Sequence, residues 1–174
     1  MLFPIKKTVN MWGFTLIEML VAISIIIILT LITVPIYQGS RKELALQRAT
    51  GKLAQDLRSA QEMAMAAREF QGAVPEGGYG IYLTSGMSDR YILFADTNGN
   101  FQYGDGELVD DIYFETGVEI SQLSPASPLT ITFTPPDPTT RVNGSTSTAA
   151  AIILRSENST TSINVLPTGL IFIE

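Results

Sequence analysis

The hydrophobic pattern changes three times along the chain. From Phe14 to Ile36 it is a 23-residue apolar run holding one charged residue, Glu18. About 20 apolar residues suffice to cross a bilayer core as a helix, so the run predicts a membrane span. From Ser40 the pattern turns amphipathic. Leu46, Ala49, Leu53, Leu57, Ala60, Ala64 and Ala67 recur at spacings of three and four, as one helical face requires. Arg41, Lys42, Arg48, Lys52, Asp56, Arg58 and Glu62 fall mostly on other faces, with Arg58 and Glu62 spaced to pair at i,i+4. Pro35 predicts a kink, because it removes a backbone hydrogen bond from the helix.

After Gly72 to Gly80, a stretch dense in helix breakers, the period becomes two. Strands are predicted at residues 80–83, 90–95, 111–114, 118–120, 129–133, 150–154, 162–166 and 170–173, with Gly169 turning between the last two. The Pro-, Ser- and Thr-rich stretch from Pro135 to Ser147 reads as a long loop. A helix first and strands afterwards predict an α+β fold. Its long N-terminal helix, half transmembrane and half amphipathic, lies on an antiparallel β-sheet or sandwich. The expected divisions are a leader at 1–13, a span at 14–36, an amphipathic helix at 37–70 and a β-rich domain at 71–174.

Composition narrows the function. The 174 residues carry a net charge of −6 and contain no cysteine and no histidine. Disulfide and thiol chemistry are therefore excluded, and the commonest general base and metal ligand is missing. No Ser-x-x-Lys spacing activates a serine, so an enzyme is not expected. An acidic chain without a basic patch argues against nucleic-acid binding through the globular part.

Two stretches bear on chemistry. A carboxylate inside an apolar span is costly, which makes Glu18 a functional candidate; the plain alternative is an interfacial acid in the first helical turn. Asp96-Thr-Asn98-Gly-Asn100-Phe-Gln-Tyr-Gly-Asp105-Gly-Glu107 places oxygen ligands at the first, third, fifth and twelfth positions of a calcium loop. Its sixth position, where that loop requires glycine, is Phe101. Flanking strands exclude a helix-loop-helix hand. Two readings stay open: a solvated hairpin, or a Ca2+ site with Asp96, Asn98, Asn100, Asp105 and Glu107 as ligands.

Gly13-Phe14-Thr15-Leu16-Ile17-Glu18 resembles the prepilin cleavage and methylation motif of type IV pilins and type II secretion pseudopilins. The match continues through Met19-Leu-Val-Ala-Ile23 and reaches Pro35. The resemblance implies that a prepilin peptidase cuts between Gly13 and Phe14 and that Phe14 is then N-methylated. It also implies that Glu18 pairs with the N-terminal ammonium of a neighbouring subunit during assembly. The leader, with Lys6 and Lys7, would lie in the cytoplasm. Its removal would leave 9 basic residues against 17 acidic ones. From Leu44 onward the chain resembles the pseudopilin H (FimT-like) branch. The carriers are Leu53-Ala-Gln-Asp-Leu-Arg-Ser-Ala-Gln-Glu-Met-Ala, Phe94-Ala-Asp-Thr-Asn-Gly-Asn and Ile163-Asn-Val-Leu-Pro-Thr-Gly169.

The expected function is thus a minor pilin-like subunit of a type II secretion or type IV pilus filament. It would be a single-pass inner-membrane protein with its β-domain extracytoplasmic, and its filament would stand in the periplasm or at the cell surface. Its partners would be the prepilin peptidase and other pseudopilins. The alternative is a signal-anchored, non-polymerising extracytoplasmic binding module whose β-domain holds calcium or a cell-surface ligand.

Overall fold

The structure, a computed structural model, describes residues 13–135, 139–157 and 159–174, and within 33–40 the backbone alone. The leader before Gly13 and the Pro35 side chain, where a kink was expected, lie outside the described residues. The chain divides into two units, Met1–Ser40 and Arg41–Glu174.

One helix, α1 (Leu16–Met65), runs through both units. Thr15 precedes it as the cap, and the Met19 N–H makes the first helical bond to the Thr15 carbonyl at 3.2 Å. Every large apolar side chain described between Phe14 and Ile32 is more than half exposed. Among the described residues no helix is long and apolar enough to cross a membrane. The transmembrane half expected at 14–36 is therefore not shown, and the last four residues of that run fall where side chains are not described.

In the second unit α1 behaves as the periodicity requires. Leu46, Leu53, Leu57 and Ala60 are fully buried, with Ala49 and Ala64 nearly so. Ala45, Ala54 and Met63 widen the stripe. Ala67, expected on that face, is exposed because the helix has already ended. The Arg68 N–H donates to the Met63 carbonyl at 3.1 Å and the Ala67 N–H to that of Ala64 at 3.0 Å. Ala67 itself has φ +45°. This is Schellman closure, with alanine in the left-handed position that glycine usually fills.

Among the described residues nine strands follow: β1 (Gly78–Thr84), β2 (Met87–Asp96), β3 (Leu108–Tyr113), β4 (Glu119–Ser124), β5 (Leu129–Thr134), β6 (Thr139–Val142), β7 (Ala150–Ser156), β8 (Ser159–Val165) and β9 (Ile171–Ile173). They form two antiparallel sheets, ordered β3-β2-β1-β5-β6 and β4-β7-β8-β9. Strand β6 corrects the expectation of one long loop from Pro135. It pairs with β5 through Ile131 opposite Val142 and Phe133 opposite Thr140. Three of its four residues, Thr139, Thr140 and Val142, are β-branched and suit a pleated surface, although the segment reads as polar.

Alternation places Tyr79, Ile81 and Leu83 of β1 and Leu129, Ile131 and Phe133 of β5 in one core. Ile152 and Leu154 of β7, Ile163 and Val165 of β8, and the buried stripe of α1 join them there. Gly169 turns between β8 and β9 as expected, at φ +84°, with its N–H bonded to the Leu166 carbonyl at 2.9 Å. An added Cβ there would lie 2.8 Å from Gln61 Nε2 of α1 and 3.2 Å from Thr140 Oγ1 of β6. A glycine is what lets helix, sheet and turn meet at that point.

Candidate functional site

Gly13, Phe14 and Glu18 come together at the start of α1. Glu18 is the third helical residue, and its N–H donates to Thr15 Oγ1 at 3.3 Å. Glu18 Oε2 in turn accepts the Thr15 N–H at 3.5 Å. The pair forms a capping box, satisfying two helix-end donors reciprocally, with long and therefore weak bonds. The box turns the Glu18 carboxylate back toward the N-terminal side, where Phe14 lies. Among the described residues a Cβ added at Gly13 meets nothing within 4 Å, so none of them demands glycine there.

The acidic loop between β2 and β3 is built differently from an open ligand cage. Asp96 is fully buried and Glu107 almost so. Asp96 Oδ1 accepts the N–H groups of Gly99 at 2.8 Å and Asn100 at 3.2 Å, and Oδ2 accepts that of Phe101 at 2.7 Å. Glu107 Oε1 accepts the Thr97 N–H at 3.1 Å and the Asn98 amide at 3.0 Å, and Oε2 accepts the Gly104 N–H at 2.9 Å. Asn98 and Asn100 close tight side-chain turns by accepting the N–H groups of Asn100 and Gln102. Asp105 stands exposed at the turn.

Burial pushes the Asp96 carboxyl above the ordinary range. The nearby Glu107 charge adds to the rise, and the Phe101, Gly99 and Asn100 N–H groups oppose it. The donor set is all oxygen, which suits calcium chemically, but the oxygens already hold the loop's own N–H groups. No group of three or more acidic, His or Cys side chains is close enough to hold a metal among the described residues. Phe101 nonetheless has φ +60°. The backbone thus takes the left-handed turn at the position where a calcium loop calls for glycine.

This gathering of N–H groups also places aromatic side chains. Tyr103 sits 5.2 Å from the Tyr82 ring and 5.7 Å from the Phe94 ring. These rings occupy the face of the five-stranded sheet opposite the helix. Phe94 lies beside Gly80, where an added Cβ would come within 2.9 Å of Phe94 Cε1 and 2.5 Å of the Ile131 carbonyl. Arg141 covers Phe101 at 4.3 Å.

The sequence reading missed one polar anchor. Asp56, expected on an outer face, is buried and accepts the Tyr91 hydroxyl at 2.5 Å and Lys52 Nζ at 2.5 and 2.7 Å. Burial, reinforced by that carboxylate, raises Tyr91 far above the usual phenol range. The expected Arg58–Glu62 pair gives way to Lys52–Asp56, and Arg58 instead reaches the Ile171 carbonyl at 3.2 Å. Lys52 at i and Asp56 at i+4 had the right spacing to be noticed; the burial of Asp56 depended on Tyr91 in β2.

These features define a class: an α+β domain of two antiparallel sheets, preceded on its own helix by a bare apolar segment. A family model described as type II transport protein GspH matches residues 49–169, well over half of the chain. The chain belongs to that family, the pseudopilin H branch of type II secretion, whose members are structural subunits rather than enzymes. The match covers α1 from Ala49, most of its buried part, and β1 to β8 through the Gly169 turn, and leaves the Gly13–Glu18 motif outside it. Comparison with curated proteins and with solved structures finds no match.

Proposed function

We propose that the chain is a minor pseudopilin, made as a precursor and cut between Gly13 and Phe14 by a prepilin peptidase. Phe14 is then N-methylated, and residues 14–36 hold the protein in the inner membrane as a single pass, with the β-domain extracytoplasmic. Assembly with other pseudopilins proceeds through the N-terminal half of α1, and the chain has no catalytic role. The observation that carries this is the bare helix: apolar side chains from Phe14 to Ile32 stay more than half exposed, while the second unit closes a core of its own. Such a surface calls for lipid or neighbouring helices. The open space at Gly13 adds support, since a need for glycine there would come from a peptidase and not from folding.

Glu18 separates the possibilities. Its pairing with a neighbour's Phe14 ammonium removes two costly charges together, so the gain belongs to assembly. Glu18→Ala should leave insertion and cleavage intact and impair incorporation into filaments, read by filament pull-down from cells. Glu18→Gln keeps the capping box, which accepts Gln as readily as Glu, and loses only the charge; it should fall in between. Incorporation of Glu18→Ala equal to wild type would remove Glu18 from assembly.

A second reading, a non-polymerising anchored module that holds calcium, is favoured by the left-handed Phe101 and the buried Asp96–Glu107 pair. Two carboxylates with mutual repulsion gain from a cation between them. With so few charges the loop should bind at the loose, millimolar end of the known range. Calorimetry of the full chain in micelles tests it. Because the Asp96 carboxyl is raised, any heat should fall as the pH is lowered toward it. No heat at millimolar calcium leaves a self-closed hairpin.

A further inference from the structure

A groove of about 440 Å³ lies on the face of the five-stranded sheet turned away from the helix. Tyr82 and Thr130, directly opposite each other on β1 and β5, form its floor. Tyr103 and Gln102 wall it from the acidic loop, Ser127 from the β4–β5 connection, and Asn143 from the turn after β6.

Two of these walls are fixed by internal bonds. Ser127 Oγ accepts the Ser85 N–H at 2.9 Å and bonds the Ser85 hydroxyl at 2.9 Å. Asn143 Oδ1 accepts the Thr130 N–H at 2.8 Å, while its Nδ2 donates to the Pro128 carbonyl at 3.3 Å. The hydroxyls of Tyr82 and Tyr103 and the amide of Gln102 have no hydrogen-bond partner among the described residues. A rigid frame therefore presents two tilted aromatic rings and three uncommitted polar tips.

Charge decides what such a frame recognises. Among the described residues no charged side chain lines the groove. Nucleic-acid backbones and other phosphates need Lys or Arg, and a metal needs carboxylates. A lipid tail needs a continuous apolar wall, whereas here hydroxyls and amides alternate with the rings. A proline-rich peptide needs parallel aromatic ridges, and a single ring pair inclined at 40° supplies none. What remains is an uncharged ligand with C–H faces and many hydroxyls.

We infer that this groove binds a neutral saccharide, one sugar face resting on Tyr82 and Tyr103 and its hydroxyl or amide edges meeting Gln102 and the tyrosine hydroxyls. The site uses no residue of the N-terminal motif, so it stands or falls independently of filament assembly.

The test is a titration of the full 15N-labelled chain, in micelles of a detergent without a sugar headgroup, with triacetylchitotriose followed by NMR. Saturable shifts are expected at Gln102, Tyr103, Thr130 and Asn143. Gln102→Ala should weaken binding about fivefold, the loss of roughly one hydrogen bond. Tyr103→Phe should do the same while keeping its ring against Phe94. Both variants should melt with the wild type, since neither side-chain group has a hydrogen-bond partner among the described residues. No shift at high sugar concentration, or equal affinity in both variants, would overturn the inference. So would tighter binding at these residues of a short single-stranded oligonucleotide or a proline-rich peptide.

Discussion

Ala67 carries a conformational cost that its neighbours impose. The two bonds that close α1 require a left-handed residue, and an alanine Cβ in that region costs about 1–2 kcal/mol. Ala67→Gly should therefore stabilise the second unit by about 1 kcal/mol, after the added freedom of glycine in the unfolded chain is deducted. Ala67→Val should destabilise it, since β-branching worsens the clash. Chemical denaturation of the two variants beside wild type reads both signs. In sequence, Ala67 fits the helical face by spacing alone. Nothing local marks the stop two residues earlier, because the usual glycine is missing.

At the scale of elements, α1 is fastened to the five-stranded sheet by a buried polar contact, Asp56 to Tyr91, set in an apolar face. Tyr91→Phe would leave Asp56 buried with only Lys52, at a cost of about 1.5–3 kcal/mol for a lost hydrogen bond to a charged group. Arg58→Ala, which removes a part-buried bond to the Ile171 carbonyl, should cost less than half of that. A urea midpoint that moved equally for both would deny Asp56–Tyr91 its special place. Element type was legible wherever one period held: Leu46 to Ala64 for the helix, and Ile81, Ile131 and Ile152 for strands. It failed at Thr139–Val142, where short threonine side chains look polar in sequence yet sit well inside a ladder. The acidic loop was legible as a set of residues but not as an arrangement. Whether Asp96 and Glu107 turn toward a cation or toward backbone N–H groups depends on how the loop folds over Phe94, and no spacing rule encodes that.

For the whole molecule, the order of the strands in space departs from their order along the chain most sharply at β4 and β5. Strands β1, β2 and β3 are neighbours in sequence and in space, and so are β7, β8 and β9. Strands β4 and β5 are consecutive, yet β4 joins the second sheet while β5 returns to the first beside β1. Each three-stranded meander needs only short loop closures, which are quick and cheap in entropy. The β1–β5 pairing must wait for residues 129–134, and β4 must wait for β7 beyond residue 150. A chain delivered from its N-terminus would thus hold β4 unpaired while β5 and β6 completed the five-stranded sheet, until β7 emerged to receive it. The exchange of β4 and β5 acts as a clasp: the second sheet's first strand is laid down before the first sheet is closed, which ties the fate of the two halves together.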